Sequence, residues 1–181
     1  MGAAIALAAE SDCSITAILT RACALALRAC PEVNAAYRDG RYELYSRVNI
    51  GVVMRTENAY GTPTVLDADS KSLTELSSEL EGLAARARAG ELTPPELAGA
   101  TFTLSDLTAH AVHRWSTLIT PPQAAALTAG AIRSAAVVRE SRLAPAQVMS
   151  VTLGCDHRIL FGERAAAFLE RIVGSIERAT L

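Results

Sequence analysis

The chain is 181 residues long, half of them apolar and 20% charged, with a formal net charge of −2. A chain of this size is expected to form one domain with a substantial core and no need of disulfide or metal staples, and its composition is far from that of a disordered polypeptide. The near-neutral charge excludes a general basic field for nucleic acid or an anionic membrane, although the cations are lopsided, with sixteen Arg against the single Lys71, a bias that reads as coding background.

In chain order, residues 1–9 are apolar but lack a basic residue and are too short to cross a bilayer. Residues 1–12 are therefore expected to be a poorly ordered or atypical lead-in, and the protein to be cytoplasmic. Residues 14–30 place Ile15, Ile18, Leu19, Ala22 and Ala26 on one helical stripe, capped by Ser11 or Asp12 and stopped by Pro31. Asp39-Gly40 signals a hairpin turn into an alternating strand over 41–45. Residues 48–55 read as a buried strand and 62–66 as a short one. Leu73, Leu76, Leu80, Leu83 and Ala87 then define an amphipathic helix ended by Gly90. Thr93-Pro94-Pro95-Glu96 is a capping box that opens a short helix closed by Gly99. Four β-like segments follow, over 101–104, 114–119, 124–138 and 147–153, and residues 162–179 close the chain as a helix. The pattern predicts an α/β (α+β) fold, with helices packed on one face of a large mixed β-sheet.

Cys13, Cys23, Cys30 and Cys155 form no C-x-x-C pair and have no histidine at a zinc-like spacing, so no metal is expected. Cys155 reads as packing. The three histidines are His110, His113 and His157. His157 stands between a buried strand and the last helix, a junction that can hold a side chain rigidly and still present it to a cleft. Flanked by Asp156 and Arg158, it also suits a salt-bridged surface position, and position alone does not separate the two.

The order of several short segments does. Pro31-Glu32-Val33-Asn34-Ala35, Val48-Asn49-Ile50-Gly51-Val52, Asp67-Ala68-Asp69-Ser70-Lys71-Ser72-Leu73, Ala87-Arg88-Ala89-Gly90-Glu91-Leu92, Phe102-Thr103-Leu104-Ser105-Asp106-Leu107, Ile119-Thr120-Pro121-Pro122-Gln123-Ala124 and Cys155-Asp156-His157-Arg158 follow one another at compatible spacings. Together they resemble the catalytic domain of the dihydrolipoamide acyltransferases of 2-oxoacid dehydrogenase complexes, over some nine-tenths of the chain. The resemblance implies a chloramphenicol acetyltransferase-like fold. It also implies that His157, in the family's D-H-R-x-x-D/N-G motif, is a general base and that Ser105 donates to the oxyanion of the tetrahedral intermediate. Asp156, Arg158 and Gly162 would support them. In such proteins the serine and histidine meet across a trimer interface, in a channel entered by coenzyme A from one side and the acceptor from the other. A homotrimer or a higher multiple of trimers is implied, with acyl-CoA, most simply acetyl-CoA, as donor and no permanently bound cofactor.

Four departures from the family pattern qualify this. Phe161 stands where the motif has an acid or amide. The run after Ser105 has lost its glycines and reads Asp106-Leu107-Thr108-Ala109-His110-Ala111; Asp106, His110, His113 and Phe161 are therefore candidate substrate contacts. The strand Ala59-Tyr60-Gly61-Thr62-Pro63-Thr64-Val65-Leu66 is more polar than its family counterpart and lacks its arginine. The lipoyl domain, the peripheral-subunit-binding domain and the front of the catalytic domain are not in this sequence. These departures suggest a free-standing enzyme that moves an acetyl group from a thioester to a small-molecule hydroxyl, as in tetronate polyketide and other antibiotic pathways, with a carrier protein as a further partner. Two alternatives stand beside it: a non-catalytic core subunit of a 2-oxoacid dehydrogenase-like complex, and a dihydrolipoamide S-acyltransferase served by a separate lipoyl protein. Neither nucleic acid nor membrane is an expected partner.

Overall fold

A computed structural model describes residues 1–56 and 60–181; Ala59, the first residue of the polar strand singled out above, lies outside them. The lead-in carries a helix. Gly2–Ser11 forms helix α1, with Asp12 in the left-handed conformation at its C-terminal cap. Five of its ten residues are Ala, the strongest helix former, and Ala4 is buried where the helix packs on the rest of the helical layer. Helix α2, Ile15–Ala29, is capped by Ser14 and not by Ser11 or Asp12: the Ser14 hydroxyl accepts from the Ala17 amide at 3.1 Å.

A 3-10 turn over Pro31–Val33 leads to the expected hairpin of β1, Ala35–Arg38, and β2, Arg41–Leu44, with Asp39 and Gly40 both at positive φ. The run over 48–55 divides into β3, Ile50–Val52, and β4, Met54–Arg55; β5, Tyr60–Gly61, pairs with β4, and β6, Thr64–Val65, pairs with β3. Helix α3, Leu73–Ala89, has a complete capping box between Ser72 and Glu75 and ends at Gly90. Thr93 and Glu96 also form a capping box, on a single 3-10 turn over Pro94–Leu97. Strand β7 is Phe102–Asp106. The β-like stretch 124–138 is two strands, β8, Ala125–Ala129, and β9, Arg133–Arg139; β10, Arg142–Val148, and β11, Val151–Cys155, return alongside them. Helix α4, Gly162–Arg178, closes the chain. Residues 114–119, expected as a strand, pair with nothing in the sheets.

The central sheet has the order β11-β8-β7-β3-β6, parallel where β7 meets β3 and β8 and antiparallel elsewhere. Its two faces differ. Phe102 and Leu104 point into the helical layer and are fully buried; the Phe102 ring meets Phe168 of α4 edge-to-face at 6.0 Å. Asp106 continues that face and accepts from the Thr16 hydroxyl of α2 at 2.5 Å. Strand alternation places Thr103 and Ser105 on the other face, where Thr103 donates to the Gln123 side chain at 2.7 Å.

Candidate active site

His157 sits on a turn anchored at both ends. The Asp156 amide donates to the Ala124 carbonyl at 2.7 Å, and the Asp156 carbonyl accepts from the amides of Ile159 and Leu160, both buried. Between these anchors His157 and Arg158 are exposed. The Asp156 carboxylate accepts from the Arg158 amide at 3.0 Å and from its guanidinium at 2.6 Å. The guanidinium holds the Asp156 carboxyl below its ordinary range and is itself pushed up in turn. Arg158 also lies over the Tyr37 ring, 4.4 Å from its centroid, so the β1 hairpin braces the turn from the side. No local pattern could have tied Tyr37 to this turn, because the two are more than a hundred residues apart.

Phe161 meets the imidazole directly, with ring centroids 5.4 Å apart and an edge-to-face angle of 62°. It also occupies the N-cap of α4, where it makes no capping hydrogen bond. Gly162, the first helical residue, has φ +55° in a region that a side chain disfavours. Cys155, at the end of β11, is half-buried, and burial pushes its thiol up, away from the thiolate form.

Ser105 lies elsewhere on the sheet. It is in register with Thr128 of β8, which is in register with Thr152 of β11. Cys155 is three residues further along β11 and pairs with Ala125 at the opposite end of β8. That separation is roughly 10 Å along the strands and roughly 10 Å across two strand spacings; His157 is two residues further still. Within one chain Ser105 and His157 do not meet.

The remaining candidates divide between two places. Asp106 and His110 line a cleft of about 330 Å³ at the C-terminal end of β7, together with Thr16, Glu81 and Arg88. Asp106 there accepts from the Thr108 amide at 2.8 Å. The His113 backbone packs on Gly130 at the end of β8 and its side chain is exposed; it does not line that cleft. Among the described residues no group of three His, Cys, Asp or Glu side chains converges as a metal site.

Residues 3–181 match the 2-oxoacid dehydrogenases acyltransferase (catalytic domain) family. The chain belongs to this family. The dihydrolipoyllysine-residue acetyltransferase component of the pyruvate dehydrogenase complex of Rickettsia bellii (strain RML369-C) is 35% identical over 168 residues, which cover 93% of this chain and 40% of that protein. The chain thus spans well under half the length of that relative. Among solved structures, the Azotobacter vinelandii dihydrolipoamide acetyltransferase superposes with a TM-score of 0.90 at 25% identity, covering 97% of this chain and 75% of that one. The cubic core of the pyruvate dehydrogenase multienzyme complex gives 0.89, again at 25% identity and with the same coverage. Chloramphenicol acetyltransferase, 18% identical, shares the fold with a TM-score of 0.66, over 96% of this chain and 82% of its own.

The Azotobacter vinelandii structure belongs to a crystallographic and enzymatic investigation of a serine, a histidine 52 positions later and an asparagine four positions beyond that, in the catalytic mechanism. In this family member Ser105, His157 and Phe161 stand at the same separations.

Proposed function

We propose that this chain is the catalytic domain of a thioester-dependent acyltransferase, moving an acetyl group between a dihydrolipoyl thiol and the thiol of coenzyme A. The observation that carries the reading is the coincidence of spacing: Ser105 and His157 are separated as are the serine and histidine of the related acetyltransferase. A dihydrolipoyl partner is favoured over a small-molecule hydroxyl and an antibiotic pathway because the relatives matched over 93% of this chain are dihydrolipoyllysine-residue acetyltransferases.

Chemically, the His157 imidazole takes the proton of the attacking thiol as its sulfur bonds to the thioester carbonyl carbon. The oxygen gains the negative charge and is met by the Ser105 hydroxyl. Collapse re-forms the carbonyl, breaks the original carbon–sulfur bond and returns the proton from the imidazolium to the departing thiolate. An imidazole is suited to both steps near neutral pH. A positioned donor to the oxyanion supplies roughly 3–4 kcal/mol of transition-state stabilisation.

Because the two side chains are far apart in one chain, the working site is assembled between copies. A closed ring of three, each giving Ser105 to one neighbour and His157 to the other, meets that need, and the likeness to a cubic core supports it.

Phe161 favours a second reading, a core subunit without activity, since it replaces the asparagine of the relative's catalytic set. Chromatographic measurement of coenzyme A released from acetyl-CoA in the presence of free dihydrolipoamide separates the two. The proposal expects release that His157→Ala and Ser105→Ala each suppress. A silent wild-type chain made active by Phe161→Asn would favour the core-subunit reading.

A further inference from the structure

Four buried side-chain polar atoms lack a hydrogen-bond partner among the described residues: Arg21 Nε, Asn34 Oδ1, Thr64 Oγ1 and Thr128 Oγ1. Arg21 and Asn34 use their other nitrogens, on the carbonyls of Asp69 and of Tyr45 and Arg47. Thr64 lies on β6 at the far edge of the sheet. Thr128 differs from all of them in its place: 1% exposed, in the middle strand of the β7-β8-β11 triplet, and in register with Ser105.

An unpaired buried hydroxyl costs stability, roughly 1–3 kcal/mol where its desolvation is uncompensated. Packing does not demand it, because valine has the same shape without the hydroxyl. The neighbouring row shows the ordinary solution: Thr103, also buried, donates to Gln123 at 2.7 Å. In-register residues of adjacent strands project to the same face with the strands about 4.8 Å apart, so Thr128 lies directly beside Ser105. The Ser105 hydroxyl has no side-chain hydrogen bond among the described residues either, and Ser105 is only partly buried. The segment that follows β7 seals the row from above. A Cβ on Gly130 would fall 2.2 Å from the His113 carbonyl oxygen and one on Gly154 would fall 2.7 Å from the Thr117 side chain, so the chain between crosses the sheet where those glycines admit it.

We infer that Thr128 is a positioning residue for Ser105. Among the described residues neither hydroxyl is paired in the single chain; a turn about χ1 lets the Thr128 hydroxyl donate to Ser105 Oγ in the assembled site, which fixes the serine rotamer and leaves its hydrogen free to aim at the oxyanion. A donor held in place before the charge develops needs no reorganisation when it does, and a hydroxyl that itself accepts a hydrogen bond is a stronger donor. The inference rests on the acyltransferase reading of Ser105.

The test is a set of variants of the full chain, Thr128→Val, Thr128→Ser, Ser105→Ala and the double variant, assayed with acetyl-CoA and free dihydrolipoamide and melted in parallel. Thr128→Val is expected to lower kcat about 3- to 10-fold, the range a single hydrogen bond supplies, with KM within about twofold and the melting temperature unchanged or higher. Thr128→Ser is expected to stay near wild type. In the Ser105→Ala background Thr128→Val is expected to cause no further loss, because the threonine acts through the serine. If Ser105→Ala is impaired while Thr128→Val is not, or if the two losses multiply in the double variant, the inference about Thr128 fails and the acyltransferase reading stands. If Ser105→Ala costs nothing, both fail together.

Discussion

Ser105 and His157 belong to one folded layer but to opposite ends of it: Ser105 lies in the Thr128–Thr152 row, while His157 leaves the sheet beyond the Cys155–Ala125 pair. Each is held by separate means. Ser105 is fixed by the ladder of β7 with β8, and by the tie of Asp106 to Thr16 behind it. His157 is fixed by its buried Ile159-Leu160 anchor and by the Asp156–Arg158–Tyr37 brace. A single chain thus holds the two residues apart.

Phe161 links the histidine to the start of α4, and its two roles predict opposite effects on substitution. Edge-to-face pairs contribute roughly 0.5–1.5 kcal/mol, so Phe161→Ala is expected to lower kcat by about 2- to 10-fold through a looser imidazole. Phe161→Asn supplies the missing N-cap and is expected to raise stability by about 1 kcal/mol, read as a higher denaturation midpoint.

The brace on the histidine turn should depend on pH in one direction. The folded-state pKa of Asp156 is lowered by Arg158, so its contribution is fully present above the ordinary aspartate range near 3.9 and is lost as pH falls through the depressed value. The difference in melting temperature between wild type and Asp156→Asn is expected to be constant from pH 7 to about 5 and to shrink below about 4. A difference that grows on acidification would contradict the pairing.

The core makes a simpler demand. Phe168 is fully buried against Phe102, and Phe168→Ala is expected to cost about 3–5 kcal/mol in a denaturant titration. It would loosen α4 beneath the strand that carries Ser105.

Much of this was legible in the sequence where the signal is local. The spaced leucines and Gly90 define α3, and Asp39-Gly40 defines the hairpin. The misses are non-local. Residues 124–138 are mostly apolar, so the break after Gly130 between β8 and β9 is easily read through, and residues 114–119 have a strand-like composition but belong to a segment that crosses over two glycines. Residues 1–12 lack a conspicuous apolar stripe, yet alanine propensity and packing on the helical layer make them helical. The family motifs indicated Ser105 and His157. They did not indicate Thr128, whose interest arises only when β7 and β8 are placed side by side and its hydroxyl is found without a partner.

The central claim, an active site shared between copies, is tested most directly by mixing two inactive chains. Ser105→Ala and His157→Ala subunits are co-expressed in equal amounts, co-purified through different tags and assayed for acetyl transfer. In a head-to-tail ring each site draws its serine from one subunit and its histidine from the next, so every mixed ring of three that carries both tags keeps one site in three with both residues intact. The account predicts recovery of about a third of wild-type activity from two chains that are inactive alone. Mixed assemblies as inactive as either parent would contradict it.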